Sequence, residues 1–580
     1  MTPTTARPPD SLGPGPARLS ISDGERWALV LVVMSGVAVV PGGLNQFVLP
    51  KLAVFAAALA LAAIAPPRGR LSAPVKRLLA AAGALLLLAA LTSATPLQQL
   101  LGRPPRYEGA IGLTLYTGAL FAGARLLGPQ RDAASLACLT RLLSLAAIAA
   151  GSVAAVEALG GDPLGVAPAR PGSLVGNASD LAAWALLALG PLVADAASSR
   201  RVLPALGATG ASIALLVSGS RGGLLGAAVL LATLVWLSPS RERRILGAVA
   251  VAVLLAASAF PSTRERILDS GTLAQRTVDG RLMLWSESLS LIEAHPLLGV
   301  GPNGWIDAIG AYHTERYERT VGPSRPADSP HNWVLQAASA GGLPLALLAI
   351  ALASLTLTSG VQAARRTCEP DAAVIRGLVA ALAGWAVALL FHFTSPATTP
   401  LAALFAGALL ARPIAYGPSR ASAIPFARAG AAAAWAAAGI ILVAGALAEV
   451  PLRSAVIAAA SGRTRAAQAD FRLARALRPW DPGVAAIAAH AYAQLLDDGV
   501  QAVAAQAESW SQLELGAYPD SVPALEDAAT AAAARGDRRL AAALLERAAL
   551  HDPHDGQILE TLARLRGLSR RSRSAESAVP

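Results

Sequence analysis

The sequence predicts an all-α protein: a polytopic bundle of about 12–13 membrane-spanning helices with a helical-repeat domain on its C-terminal side. Hydrophobic residues make up 54% of the 580 and charged residues only 15%, against roughly 25% charged in an average soluble chain. The apolar residues come in long Ala/Leu/Val blocks, not in ten-residue alternating strands. A block of about 20 such residues crosses the hydrocarbon core as a helix, because helices and closed barrels alone satisfy every backbone polar group in lipid. After residue 449 charge rises and helical periodicity replaces the blocks.

Taken in order, residues 1–25 form a Pro- and Thr-rich cytoplasmic N-terminus, expected to be disordered. Candidate spans then run at 27–41, 48–65, 78–94, 110–127, 139–158, 180–197, 202–218, 223–238, 245–260, 332–357, 374–394, 397–411 and 429–448. The first follows Arg26, lacks a small-x-small cleavage site and is read as a retained span. With the N-terminus in the cytoplasm, the cytoplasmic connections are basic, from Arg68, Arg70, Lys76 and Arg77 to Arg412, Arg420 and Arg428, as the positive-inside rule requires. The membrane domain is then 26–448, and its long loop 261–331 and everything beyond 449 face the periplasm of a bacterial inner membrane. The net charge of +11 is thus an orientation signal, and nucleic-acid binding is not expected. Cys138 and Cys368 fall near cytoplasmic helix ends and suggest neither a disulfide framework nor a thiolate metal site.

Residues 449–566 repeat a phrase, ARALRPWDP and LERAALHDP, with Asp-Pro or Pro-Asp punctuation at intervals of 37 and 34 residues and Gly499 and Gly536 in the turns. A period near 34 resembles tetratricopeptide (TPR) repeats, which build concave docking surfaces and hold no chemistry of their own. Most of the large aromatic positions of such repeats are missing here. The tail 567–580 is expected to be disordered.

Five arginines lie on the side that orientation does not explain: Arg103, Arg106, Arg170, Arg221 and Arg281. Arginine near a bilayer is costly and tends to have a functional partner; snorkelling or an ion pair with a nearby acid is the plain alternative. Arg221 sits in Ser218-Gly219-Ser220-Arg221-Gly222-Gly223, a hairpin between two spans, or simply a glycine-rich turn with an incidental arginine. Arg281 opens GRLMLWSESLSLIEAHPLLGVG, where Leu282, Trp285, Leu289 and Ile292 have helical spacing. That helix is expected along the interface with Trp285 as its anchor, the plain alternative being a surface loop helix. His331 and Asn332 lie in SPHNWVLQ at the start of a span. A lone histidine there is more often structural, yet an imidazole can take a proton from an acceptor hydroxyl.

In this order the phrases resemble the O-antigen ligase and polymerase family, which includes bacterial O-oligosaccharyltransferases. The matching text is SGSRGGLLGA, GRLMLWSESLSLIEAHPLLGVGPNGW and PHNWVLQAASAGGLP, with LGRPPRYEGA and RPGSLVGNASDLAA upstream. It departs from the family at Ala340 and at Gly342-Leu343-Pro344-Leu345, where an acidic residue and a Gly-x-x-Gly step are usual. The resemblance implies a GT-C-like membrane glycosyltransferase with a polyprenyl (undecaprenyl) pyrophosphate-linked glycan as donor. The implied acceptor is a glycan, lipid A core or protein hydroxyl, with membrane lipids around the bundle and a protein partner on the repeats. Loss of pyrophosphate builds negative charge that fixed cations must stabilise, and arginine forks bind phosphate bidentately. Under this reading Arg221, Arg281 and His331 are catalytic, the first two on the pyrophosphate and His331 on the acceptor. Arg103, Arg106, Arg170 and Asn332 bind substrate. No cofactor or metal is expected, since no acidic ligand cluster stands out in the periplasmic segments, and direct displacement inverts the anomeric carbon. The rival readings are a transporter or flippase of lipid-linked glycans, whose charges would lie at the midplane, and a scaffold acting through its repeats.

Overall fold

The computed structural model describes residues 21–131, 133–166, 169–259, 272–322, 327–414 and 426–567. Of the ends expected to be disordered, residues 1–20 and 568–580 lie outside them, as does part of the long loop; residues 23–25 instead open the first helix, which Ser22 caps by accepting from Glu25 N–H. Among the described residues the chain is α-helical throughout, apart from short 3-10 turns and a two-residue pairing of Arg70–Leu71 with Ala411–Arg412.

Among the described residues seven helices are long and apolar enough to cross a membrane, and four shorter apolar ones accompany them. The long ones are α3 (Ala73–Leu91), α5 (Ala110–Leu127), α6 (Ala133–Ala158), α7 (Ala178–Ser199), α14 (Trp333–Arg366), α15 (Asp371–Ala388, extended by a 3-10 turn to Phe391) and α17 (Phe426–Ala460). The shorter are α2 (Val48–Ile64), α8 (Val202–Val217), α9 (Arg221–Leu237) and α16 (Thr399–Leu410). With α1 (Asp23–Ser35) and α10 (Ser240–Ala259), each expected apolar run is carried by one helix. α7 lies at the centre, its Leu181, Trp184, Leu186, Leu187 and Leu192 fully buried, and carries core on every side. α3 and α17 are outermost and present Leu87, Leu88, Leu91, Ile440, Ile441 and Val443 outward. An apolar outer surface is what a bilayer solvates, and contiguous exposure on this scale is foreign to soluble monomers. The chain is an all-α multi-pass membrane protein.

The two ends of the bundle differ in chemistry. One collects the basic connections: Arg68 forms a buried pair with Glu25 at 2.7 Å, and Arg376 bridges Glu242 at 2.8 Å and Glu369 at 2.6 Å. The other carries the long loop, the Leu389–Thr398 connection and the C-terminal domain. α9 and α15 cross where Gly226 meets Gly384; a Cβ on either would lie 2.5 Å from the other's carbonyl oxygen. This close small-residue crossing fixes the start of α9 against the end of α15.

α14 is broken after its second turn. Gly341 and Gly342 leave helical geometry, Gly342 at φ 74°. The orphaned backbone groups are satisfied from the His295–Gly301 turn: Val300 N–H donates to the Ser339 carbonyl at 2.7 Å, and Leu343 N–H to the Pro296 carbonyl at 2.8 Å. Non-helical backbone at such depth is tolerated where protein covers it.

Boundaries move where tertiary structure extends a helix. The span expected at 332–357 continues to Arg366, and that at 429–448 runs unbroken from Phe426 to Ala460. In its last turns Leu452, Ala455 and Ala458 pack on Phe471, Tyr492 and Trp510, so one helix serves both bundle and C-terminal domain. That domain continues as six further helices: α18 (Thr464–Leu477), α19 (Gly483–Asp497), α20 (Ala504–Ala517), α21 (Val522–Ala534), α22 (Arg538–His551) and α23 (Gly556–Leu565). Its turns hold Gly462, Gly499 and Gly536 at φ 71°, 89° and 84°.

Candidate functional site

The site gathers on a connection that the sequence reading passed over, Leu389–Thr398 between α15 and α16. Phe391 receives two visitors. Gly222, next to Arg221 on the first turn of α9, lies so close that a Cβ would be 3.3 Å from Phe391 Cβ. Trp285 of α11 (Thr272–Ala294) places its ring 6.0 Å from that of Phe391 and donates its indole N–H to the Pro330 carbonyl at 2.9 Å. Trp285 thus ties α11 to the turn that precedes His331. The apolar face of α11 packs through Leu284 and Leu291 against Trp305, Ile309 and Tyr317 of the long loop.

Arg281 is one helical turn before Trp285. Burial and the neighbouring Arg221 guanidinium push Arg281 down from its usual value, so the two cations feel each other. Ser220 caps α9, accepting from Gly223 N–H at 3.1 Å. Arg170 grips the same hairpin, donating through Nε and Nη2 to the Ser218 carbonyl at 3.2 and 2.6 Å. It buttresses the turn that presents Arg221.

His331 follows Pro330 and sits at φ 49°, a region uncommon outside glycine. Such strain costs on the order of 1–3 kcal/mol and persists where the surroundings over-determine it. Here they do: Pro330 is tied to Trp285, and Asn332 is the N-cap of α14, accepting from Val334 and Leu335 N–H at 2.9 and 3.2 Å. Asn332, expected to bind substrate, thus spends its side-chain oxygen on the cap. The His331 ring lies 5.2 Å from Phe393 and 6.4 Å from His392. Its Nδ1 is buried without a hydrogen-bond partner. Burial first, then His392, Arg281 and Arg106, lower its pKa to about 4, leaving a neutral imidazole with a free lone pair at pH 7.

Arg106 stacks on Phe393 at 4.4 Å and donates to the Asp328 carbonyl at 2.7 Å. Its Nη1 is buried and makes no hydrogen bond. Arg106 and His331 line a cavity of about 390 Å³ with Lys51, Asn177, Asp180 and Asp328. Arg221 and Arg281 are not in that lining; they gather beside it at Phe391.

Arg103 is buried, its Nη1 bound to both Asp307 oxygens at 3.0 and 2.9 Å, with its guanidinium 5.0 Å from the Tyr518 ring of the C-terminal domain. It ties the loop between α4 (Pro96–Leu101) and α5 to the long loop and to the C-terminal domain.

The sequence reading missed two polar knots. Glu108 accepts from Tyr116 at 2.9 Å, Thr394 at 2.8 Å and Gln336 at 3.1 Å, and burial raises its pKa. Asp180 accepts from Ser395 at 2.7 Å and pairs with His392 Nε2 at 3.1 Å. Both fix the Leu389–Thr398 connection. The one available signal was HFTSP, a polar break between two apolar runs.

Fold and site define a multi-pass membrane protein with arginines and a histidine converging at one end of its bundle. Residues 206–350, which include Arg221, Arg281, His331 and Asn332, match the family model described as O-Antigen ligase, and the chain carries a domain of that family. The family's activity is membrane glycosyl transfer of the ligase or polymerase type, between a lipid-linked glycan donor and a glycan acceptor. The comparison with curated proteins gave no match.

Proposed function

We propose that the chain transfers a glycan from a polyprenyl pyrophosphate to an acceptor hydroxyl at this end of the bundle, the end we assign to the periplasm. The supporting observation is the electrostatic continuity from Arg221 to Arg281 to His331 around the Phe391–Phe393 turn. The acceptor oxygen attacks the anomeric carbon, a C–O bond forms, and the bond to the pyrophosphate oxygen breaks with its electron pair. The acceptor proton passes to His331, whose Nδ1 has no other partner. Negative charge grows on the leaving pyrophosphate beside Arg221 and Arg281, where preorganised cations act most strongly, and Arg106 offers Nη1. Attack opposite the leaving group inverts the centre and calls on no metal. Arg170 and Asn332 are positioning residues in this scheme.

We further propose that the repeat segment from about residue 449 is tetratricopeptide-like and docks a protein partner on the periplasmic side of the inner membrane. A reporter fused after residue 460 is expected to be active outside the cytoplasm; activity inside reverses the orientation. Purified protein should consume an undecaprenyl-pyrophosphate glycan and release undecaprenyl pyrophosphate. Wild-type protein that binds this donor but only moves it between leaflets would instead establish the flippase reading.

A further inference from the structure

Away from this site, the long loop and the C-terminal domain meet at three side chains: His313, Glu318 and Asp552. One potential ligand atom from each lies within 4.8 Å of the others. His313 and Glu318 come from the loop, flanking and within α13 (Glu315–Thr320); Asp552 ends α22, some 230 residues later in the chain. The two bodies touch closely here, since a Cβ on Gly310 would lie 2.8 Å from the His551 carbonyl oxygen.

We propose that His313, Glu318 and Asp552 form a binding site for a divalent transition-metal ion of the zinc class, which clasps the long loop to the C-terminal domain. Asp552 and His313 are each only 8% exposed. Asp552 Oδ1 and Glu318 Oε2 are buried with no hydrogen-bond partner, so two carboxylate oxygens face each other's neighbourhood unsatisfied. A buried polar atom left this way is costly, and buried carboxylates are ordinarily paired or on a metal.

The imidazole is prepared for a ligand. Its Nδ1 is 2.9 Å from Glu287 Oε2, and its ring stacks on Tyr317 at 4.1 Å with planes 10° apart. Glu287 is itself held by Thr314, through backbone N–H at 2.8 Å and hydroxyl at 2.9 Å. A carboxylate on one imidazole nitrogen fixes the tautomer that leaves the other, here Nε2, to bind metal. One imidazole and two carboxylates suit zinc, with water completing the shell; calcium and magnesium take oxygen ligands. No such cluster was visible in the periplasmic sequence because its members come from two separate domains.

The test uses full-length protein in detergent, stripped with a chelator and titrated with Zn²⁺ alone. One Zn²⁺ should bind per chain, and Asp552→Asn and Glu318→Gln, both near-isosteric, should each weaken binding by at least about tenfold, the low end of what even outer-shell losses cost. Zinc should also slow hydrogen exchange at 310–320 and 548–556 in wild type and not in either variant. Equal zinc uptake by wild type and variants, unchanged exchange, or binding of Ca²⁺ or Mg²⁺ in preference to Zn²⁺ overturns the proposal. If stripped wild type takes up no Zn²⁺, the three groups are a proton-sharing contact and the site does not exist.

Discussion

Arg103 and Arg106 stand in the same short loop, yet they belong to different regions. Arg103 faces the C-terminal domain with its charge matched by Asp307. Arg106 faces the candidate site, its guanidinium stacked on Phe393 and paired with Asp328 at 3.5 Å. The contrast extends across the molecule. On the docking side Arg478 is fully buried between Glu449 and Asp481, and Tyr107 donates to Asp481 at 2.7 Å. On the site side Arg281 sits beside another cation, Arg221. Matched arginines hold parts together. Like charges kept close are an arrangement that an anion would relieve, and the fold maintains it through the Gly226–Gly384 crossing and the Trp285 anchor.

If that division is right, the two sets of arginines fail in different assays. Arg221→Ala or Arg281→Ala should lower transfer by about 10²–10³-fold or more, the cost of losing one preorganised donor, with the melting temperature of the purified protein unchanged. Lysine should not restore full rate, because it lacks the fork. A large loss of thermal stability in either variant would make these arginines structural.

Arg478→Met should do the reverse. Removing one partner of a buried pair costs about 3–5 kcal/mol, read as earlier unfolding and faster hydrogen exchange across 464–566, while residual transfer per folded molecule stays measurable. If activity vanishes at full stability, docking and chemistry are not separate.

His331→Ala should lower kcat by about 10²–10³-fold, within the range of general-base losses, with donor affinity nearly unchanged. In wild type the neutral imidazole persists until pH falls to about 4, so the His331-dependent acid limb of kcat should lie there and not near 6.5. Stability follows the same sign. Since the folded pKa is depressed, the unfolded chain takes the proton first; the stabilisation is complete above about 6.5 and declines as pH falls toward about 4. An acid limb near 6.5 that disappears in the variant would contradict the buried, cation-flanked setting of His331.

The smallest effect is expected at Asn332→Ala, which removes the α14 cap and should cost about 1 kcal/mol. It should lower kcat several-fold by loosening His331 without changing donor binding. A selective loss of donor affinity would instead return Asn332 to the substrate.

Most of the helical plan was legible because apolar blocks and basic connections are local signals, readable without knowing what packs on what. The glycines of SGSRGG and HPLLGVG were visible, but their meaning was not. Gly299 is needed because Ser339 O would lie 2.2 Å from a Cβ there, a contact between segments distant in sequence. Arg103 and Arg106 looked alike for the same reason: their partners, Asp307 and Asp328, give no sign in sequence of which arginine they meet. His392 stands in the polar break HFTSP and Glu108 in LGRPPRYEGA, but their roles were missed because Asp180 and Gln336 find them only in three dimensions.

The bond from Tyr107 to Asp481 spans 374 residues. At ribosomal rates of roughly 5–20 residues per second, the site-bearing loop waits on the order of 20–70 s for its outer partner to be made. During that interval α5 and its neighbours can already be seated in the bilayer, while Arg103 and Tyr107 lack the C-terminal domain that covers them. Completion of the loop's surroundings therefore waits on synthesis as far as Asp481, and a chain that stops short of it leaves the loop exposed.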